Sequence, residues 1–113
     1  MTTKELKERT FQFGVRVVRA AESLPKTEIP RTLGKQLLRA GTSVGANYRA
    51  AARARSQADF VAKLGNEAMY WMEMIVELKL VKAARLAKLL AEANELLAIV
   101  VASIKTARRR RRT

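Results

Sequence analysis

Apolar residues return every three or four positions along almost the whole chain, and four such runs can be separated. The first runs from about Thr3 to Leu24, where Phe13, Val17, Ala20 and Leu24 fall on one helical face and Phe11, Val15 and Val18 widen it. Thr2 followed by Glu5 has the form of a capping box. The run ends at Leu24-Pro25, because the residue before a proline is pushed out of helical geometry.

The second run starts after the short link PKTE. Thr27 stands where a cap is needed and Pro30 falls in the first turn, where a missing N–H costs nothing. Leu33, Leu37, Val44 and Tyr48 hold one phase across the stretch GTSVG (41–45), which predicts one continuous helix through it. Ser56 and Asp59 open the third run, with Phe60, Leu64, Ala68, Trp71, Ile75 and Leu78 as its stripe to about Leu80. The fourth begins near Lys82 or Ala83 and carries Leu86, Leu90, Ala93, Leu97, Val100 and Ile104 on one face.

No segment alternates with strand periodicity, and no repeat is present. Helices of about 22 to 25 residues span roughly 33 to 38 Å. Short links make consecutive helices antiparallel neighbours. The expectation is an all-α fold, an antiparallel up-down-up-down four-helix bundle over residues 1–107. A basic tail follows at 108–113, disordered without a partner because its five arginines repel one another.

Composition narrows the chemistry. The 113 residues include no cysteine and no histidine. That removes disulfides, thiolate nucleophiles, Cys/His zinc sites and imidazole acid–base catalysis. Only Glu73 with Glu77, one turn apart, resembles a carboxylate pair, and such a pair is more often a solvated face than a metal site. The expectation is therefore no enzyme, no metal and no cofactor. The amino-terminal stretch MTTKELKERT has no apolar core of a signal segment, and LLAIVVA (96–102) is too short to span a bilayer. A cytoplasmic protein with no membrane role is expected.

The formal net charge is +13, and it is unevenly spread. Residues 1–55 carry +8, residues 56–81 carry −2, residues 82–107 carry +2 and the tail carries +5. On the second helix Arg31, Lys35 and Arg39 follow at four-residue spacing, and Arg49 and Arg53 continue the line. Like charges at that spacing destabilise an isolated helix by a few tenths of a kcal/mol. A row of five with no interleaved acid is not arranged for stability. With Arg108, Arg109, Arg110, Arg111 and Arg112 it forms the candidate contact surface for a polyanion; Arg9, Arg16 and Arg19 form a looser row on the first helix. Nucleic acid, RNA or DNA, is favoured over membrane because the apolar faces are needed for the core. Such binding reads phosphates and little sequence. Tyr48 and Trp71 fall on core stripes, while Tyr70 lies off its stripe and is open to a stacking role.

GTSVG could be read as a phosphate-gripping loop, but that needs a preceding strand and a phosphate-reaching lysine, and neither is present. In a helix, Gly34, Gly41, Gly45 and Ala52 line up. Glycine costs about 1 kcal/mol in a helix interior, so this line points to a close approach by another backbone, with Gly14 a possible counterpart. Beside it run Gln36, Ser43 and Asn47. Their polar groups need partners if buried, through a network inside the bundle or a contact between subunits.

The run QLLRAGTSVGANYRAAARARSQADFVAKL (36–64), with YWMEM (70–74) and LLAIVVASIKTARR (96–109), resembles the bacterial four-helix-bundle family of 23S rRNA intervening-sequence proteins. The accessory variability proteins of diversity-generating retroelements share that fold. The resemblance implies a bundle that assembles as a homo-oligomeric ring, typically a homopentamer. The retroelement members bind DNA and RNA and serve a reverse transcriptase as accessory subunits. It brings no catalytic residues. Between Phe60 and Trp71 the family pattern holds about six more residues than GNEAM (65–69) supplies, about 1.7 helical turns, so a shorter third helix is expected. Two functions follow: a non-enzymatic nucleic-acid binder, or a protein-interaction scaffold for a reverse transcriptase or other nucleic-acid enzyme.

Overall fold

The computed structural model describes residues 1–51 and 58–112, apart from the side chains of residues 51, 104, 105, 107, 108 and 110–112. They form four helices: α1 (Thr3–Glu22), α2 (Glu28–Ala51), α3 (Ala58–Glu77) and α4 (Ala83–Arg112). No strand occurs among the described residues. The α1 cap is as the sequence predicts, with the Glu5 N–H donating to the Thr2 hydroxyl at 3.1 Å. At the start of α2 the Thr27 carbonyl accepts from the Arg31 N–H at 3.0 Å.

Each helix packs on the next in sequence, and α4 closes back more sparsely on α1. The body is 53 Å long and 20 Å in each other dimension, so the helix axes share the long direction. Residue pairs rising along α1 fall along α2: Thr10 meets Gly45, Val17 meets Gly41 and Leu24 meets Gly34. The two helices are therefore antiparallel, and the whole fits the expected up-down-up-down bundle.

The glycine line does what a row of missing side chains can do. A Cβ on Gly41 would stand 2.7 Å from both Val17 methyls. A Cβ on Gly45 would stand 3.1 Å from the Thr10 carbonyl oxygen and 3.3 Å from the Phe11 nitrogen. α2 runs unbroken through 41–45, and α1 lies against it nearly backbone to backbone. Gly14 supplies the matching thin spot, its absent side chain facing the Thr42 Cα. Ala52 lies outside the described residues.

The core is built from Leu6, Phe13 and Val17 of α1, Leu37, Ala40 and Val44 of α2, and matching residues of α3 and α4. Three details differ from the sequence pattern. In α1, Phe11 and Val18 are 44% and 36% exposed, so the face is narrower than predicted. In α3 the buried stripe is Val61, Leu64, Gly65, Ala68, Met72 and Ile75, leaving Phe60 and Leu78 exposed. In α4, Leu89 and Leu96 are buried where Leu90 and Leu97 were expected. Adjacent apolar residues at 60–61, 71–72, 89–90 and 96–97 offer two phases, and packing between α3 and α4, close at Gly65 against Leu97, selects the other one.

α3 also ends earlier than expected, at Glu77, though nothing in the sequence there is glycine or proline. Lys79 takes a left-handed conformation, φ 56°. The Leu80 N–H reaches back to the Ile75 carbonyl at 3.1 Å and the Lys79 N–H to that of Val76 at 2.9 Å, the pattern of a Schellman stop. At the other end, α4 continues through the arginine run to Arg112 where a frayed tail was expected. Alanine and arginine are strong helix formers, and cations at a helix C-terminus meet the negative end of its dipole.

Candidate polyanion-binding face

Turning α2 so that Leu33, Leu37 and Val44 enter the core leaves Arg31, Lys35, Arg39 and Arg49 on its outer side, all exposed. Among the described residues, the charged groups of Arg31, Lys35 and Arg39 have no ion-pair or hydrogen-bond partner; the ion pairs found there belong to Arg9. The Arg49 guanidinium lies 5.9 Å from the centre of the Phe11 ring. At an exposed site such a contact is worth about 0.5–1 kcal/mol, enough to favour one position without consuming the charge. Arg53 lies outside the described residues. Arg108 to Arg112 are helical in backbone, and of their side chains only that of Arg109 is described, as exposed.

The polar edge of α2 does not form the network expected of it. The Ser43 hydroxyl donates to the Arg39 carbonyl at 2.6 Å, and the Asn47 amide donates to the Ser43 carbonyl at 2.9 Å. Both bonds stay within α2, and Gln36 is exposed. A short polar side chain one turn above a carbonyl satisfies itself locally, so no second helix is needed. Gly34, Gly41 and Gly45 do make helix contacts, with α1 and its following turn.

The loose row on α1 splits into two kinds. Arg9 is held by α4: its Nη2 lies 2.5 Å from Glu92 Oε1, its Nε 3.2 Å from Glu92 Oε2, and Glu95 is 3.3 Å away. This fork raises the Arg9 pKa above its ordinary value, chiefly through the Glu92 hydrogen bond. A raised cation pKa stabilises the fold at every pH below the unfolded value, so the bond is fully present near neutrality. Arg16 and Arg19, by contrast, are exposed and have no acid partner among the described residues.

The exposed tyrosine lies elsewhere. Tyr70 is 53% exposed and packs edge-on to Trp71, with ring centres 5.0 Å apart. It sits on α3, whose Glu67, Glu73 and Glu77 are also exposed, so the open tyrosine is on the acidic element and not on the basic one. Tyr48 and Trp71 are half-buried against the core. Between α1 and α2 an apolar groove of about 620 Å³ is lined by Phe11, Val15, Val18 and Ala46, with Arg49 at its edge. Among the described residues no three potential metal ligands come together, and none of their helices is long and apolar enough to cross a membrane.

Sequence reasoning missed Thr10. It is fully buried, its hydroxyl donating to the Leu6 and Lys7 carbonyls at 2.9 and 3.0 Å. The signal was its phase, four residues after Leu6 and three before Phe13. A polar residue type obscured it.

An all-helical bundle with a bare cationic face on α2 is what these observations define. The chain belongs to the 23S rRNA-intervening sequence protein family, whose model matches residues 3–102. Its fold is similar to that of a protein of unknown function from the S23 ribosomal protein family of Bacteroides thetaiotaomicron. That likeness has a TM-score of 0.80 and 26% identity, and covers 88% of this chain and 98% of the other. No curated protein matches the chain by sequence.

Proposed function

We propose that this is a non-enzymatic, cytoplasmic nucleic-acid-binding protein that grips RNA or DNA through its phosphates, with little sequence preference. The observation that carries the reading is the row Arg31, Lys35, Arg39 and Arg49 on one face of α2, its first three charges unpaired among the described residues. Arg53 and the arginines 108–112 extend the same surplus in sequence. Titrating a duplex from low to high salt tests it. The log of affinity should fall linearly with log salt, by about 0.9 for each phosphate neutralised. Affinity indifferent to salt would remove the reading.

Self-association belongs to the same proposal. The α1–α2 side is basic and exposes Phe11, Val18 and Leu38, while α3 is acidic and exposes Phe60, Tyr70 and Leu78. Two different, complementary patches suit a head-to-tail contact, which forms a ring where its rotation closes, a homopentamer among the possible sizes. The molar mass in solution decides it: a single monomer mass across concentrations would exclude the ring. The same exposed apolar surface supports the second reading, an accessory scaffold for a reverse transcriptase or other nucleic-acid enzyme. A protein partner that remains bound after nuclease digestion would favour it.

A further inference from the structure

The side of the bundle made by α1 and α4 holds a second cationic feature, independent of the α2 row. The register that sets Arg9 against Glu92 fixes what comes next along the antiparallel pair. Seven residues further on each helix, in opposite directions, stand Arg16 and Arg85. Both line one recess of about 430 Å³, together with Arg19. Where one level of this seam pairs a cation with an acid, the level two turns away gathers three arginines. None of the three has an ion-pair or hydrogen-bond partner for its charge among the described residues. Like charges collected at a helix–helix seam oppose packing, and an exposed arginine is free to point away. Here all three border the same concavity, whose floor is Val81, Leu86 and Leu89.

Guanidinium groups bind phosphate oxygens in a planar, two-pronged fashion. Three of them match a group carrying more than one negative charge, and the half-buried Val81, with the edges of the core residues Leu86 and Leu89 beneath it, offers a small apolar surface to an uncharged ring. The recess is open to solvent, so it would cover one side of such a ligand. We propose that this recess binds a phosphate-bearing ligand of the nucleotide class, its phosphates across Arg16, Arg19 and Arg85 and its sugar and base against Val81, Leu86 and Leu89. The ligand is a free nucleotide or the terminal nucleotide of a nucleic-acid strand; the chemistry recognised is the same.

The test is calorimetric titration of the full chain with ADP, with inorganic pyrophosphate and with a 5′-phosphorylated pentanucleotide. ADP should bind saturably and more tightly than pyrophosphate, which leaves the floor unused. Arg19→Gln and Arg85→Gln should each weaken ADP at least about 10-fold, the worth of one charge-assisted hydrogen bond, while Arg39→Gln on α2 leaves it unchanged. Arg85→Glu should pair with Arg16 as Glu92 does with Arg9, raising the melting temperature by about 2–4 °C and abolishing ADP binding. A pentanucleotide that outbinds ADP, with the same dependence on Arg85, identifies the strand end as the source; equal binding identifies the free nucleotide. Absence of saturable ADP binding up to about 10 mM, or equal loss in Arg39→Gln, overturns the site. Failure here leaves the α2 row untouched, since duplex binding through Arg31, Lys35 and Arg39 is measured separately.

Discussion

Leucine in place of Gly45 is expected to destabilise the fold by about 3 kcal/mol, at the upper end of what overpacking a core costs. The atoms in the way belong to the backbone of Thr10 and Phe11. A backbone cannot change rotamer, so the whole of α1 has to move off α2 and open the contacts of Phe13 and Val17 with it. Alanine at the same position should cost less. It regains about 1 kcal/mol of helix propensity, against a methyl only 3.1 Å from the Thr10 carbonyl oxygen. Leucine at the next position, Ala46, which is exposed, should change stability by no more than about 0.5 kcal/mol. Urea unfolding midpoints of the three variants check this. A Gly45→Leu midpoint equal to that of the parent would mean that close helix approach is not why glycine stands there.

The second large effect concerns binding. Changing Arg31, Lys35, Arg39 and Arg49 together to glutamine is expected to lower duplex affinity about 1,000-fold near 0.1 M salt. The log–log salt slope should shrink by about 3.6, since each phosphate contact contributes about 0.9. The fold should not suffer, because removing like charges at four-residue spacing relieves a few tenths of a kcal/mol. Arg49→Gln also gives up the Phe11 contact, which offsets part of that gain. Filter binding at several salt concentrations, beside thermal melts, separates the two quantities. Full affinity in a folded quadruple variant would move the binding surface away from α2.

The fold was legible to the extent that apolar period and punctuation agree. Thr2, the Leu24-Pro25 step and the unbroken phase through GTSVG located α1 and α2 to within a few residues. The glycine line announced a close contact, and Gly14 named its partner. What the sequence could not specify was phase within doublets such as Leu89-Leu90 and Leu96-Leu97. Periodicity allows either member to turn inward, and only the neighbouring helix decides. The α3 stop was hidden for another reason: a lysine takes the left-handed position that usually calls for glycine.

The cationic face was readable because charge spacing on a helix maps directly onto its surface. Pairings across helices were not. Nothing local distinguishes Arg9, bound to Glu92, from Arg16, which borders the same recess as Arg85. That difference is a property of the register between α1 and α4, visible only once both are in place. Ser43 and Asn47 gave the opposite lesson: polar groups at a regular spacing suggested partners far away, and they found them one turn back.

Val100 is the last buried residue described in α4, yet the helix runs on from 101 to 112, about 18 Å further. At 1.5 Å per residue the Arg109 backbone lies about 13 Å along the helix beyond Val100, more than the roughly 8 Å over which physiological salt screens a charge. In the proposed binding mode a polyanion would therefore meet an outrigger and a hull: the arginine tip would make first contact, and the broad α2 side would hold the strand.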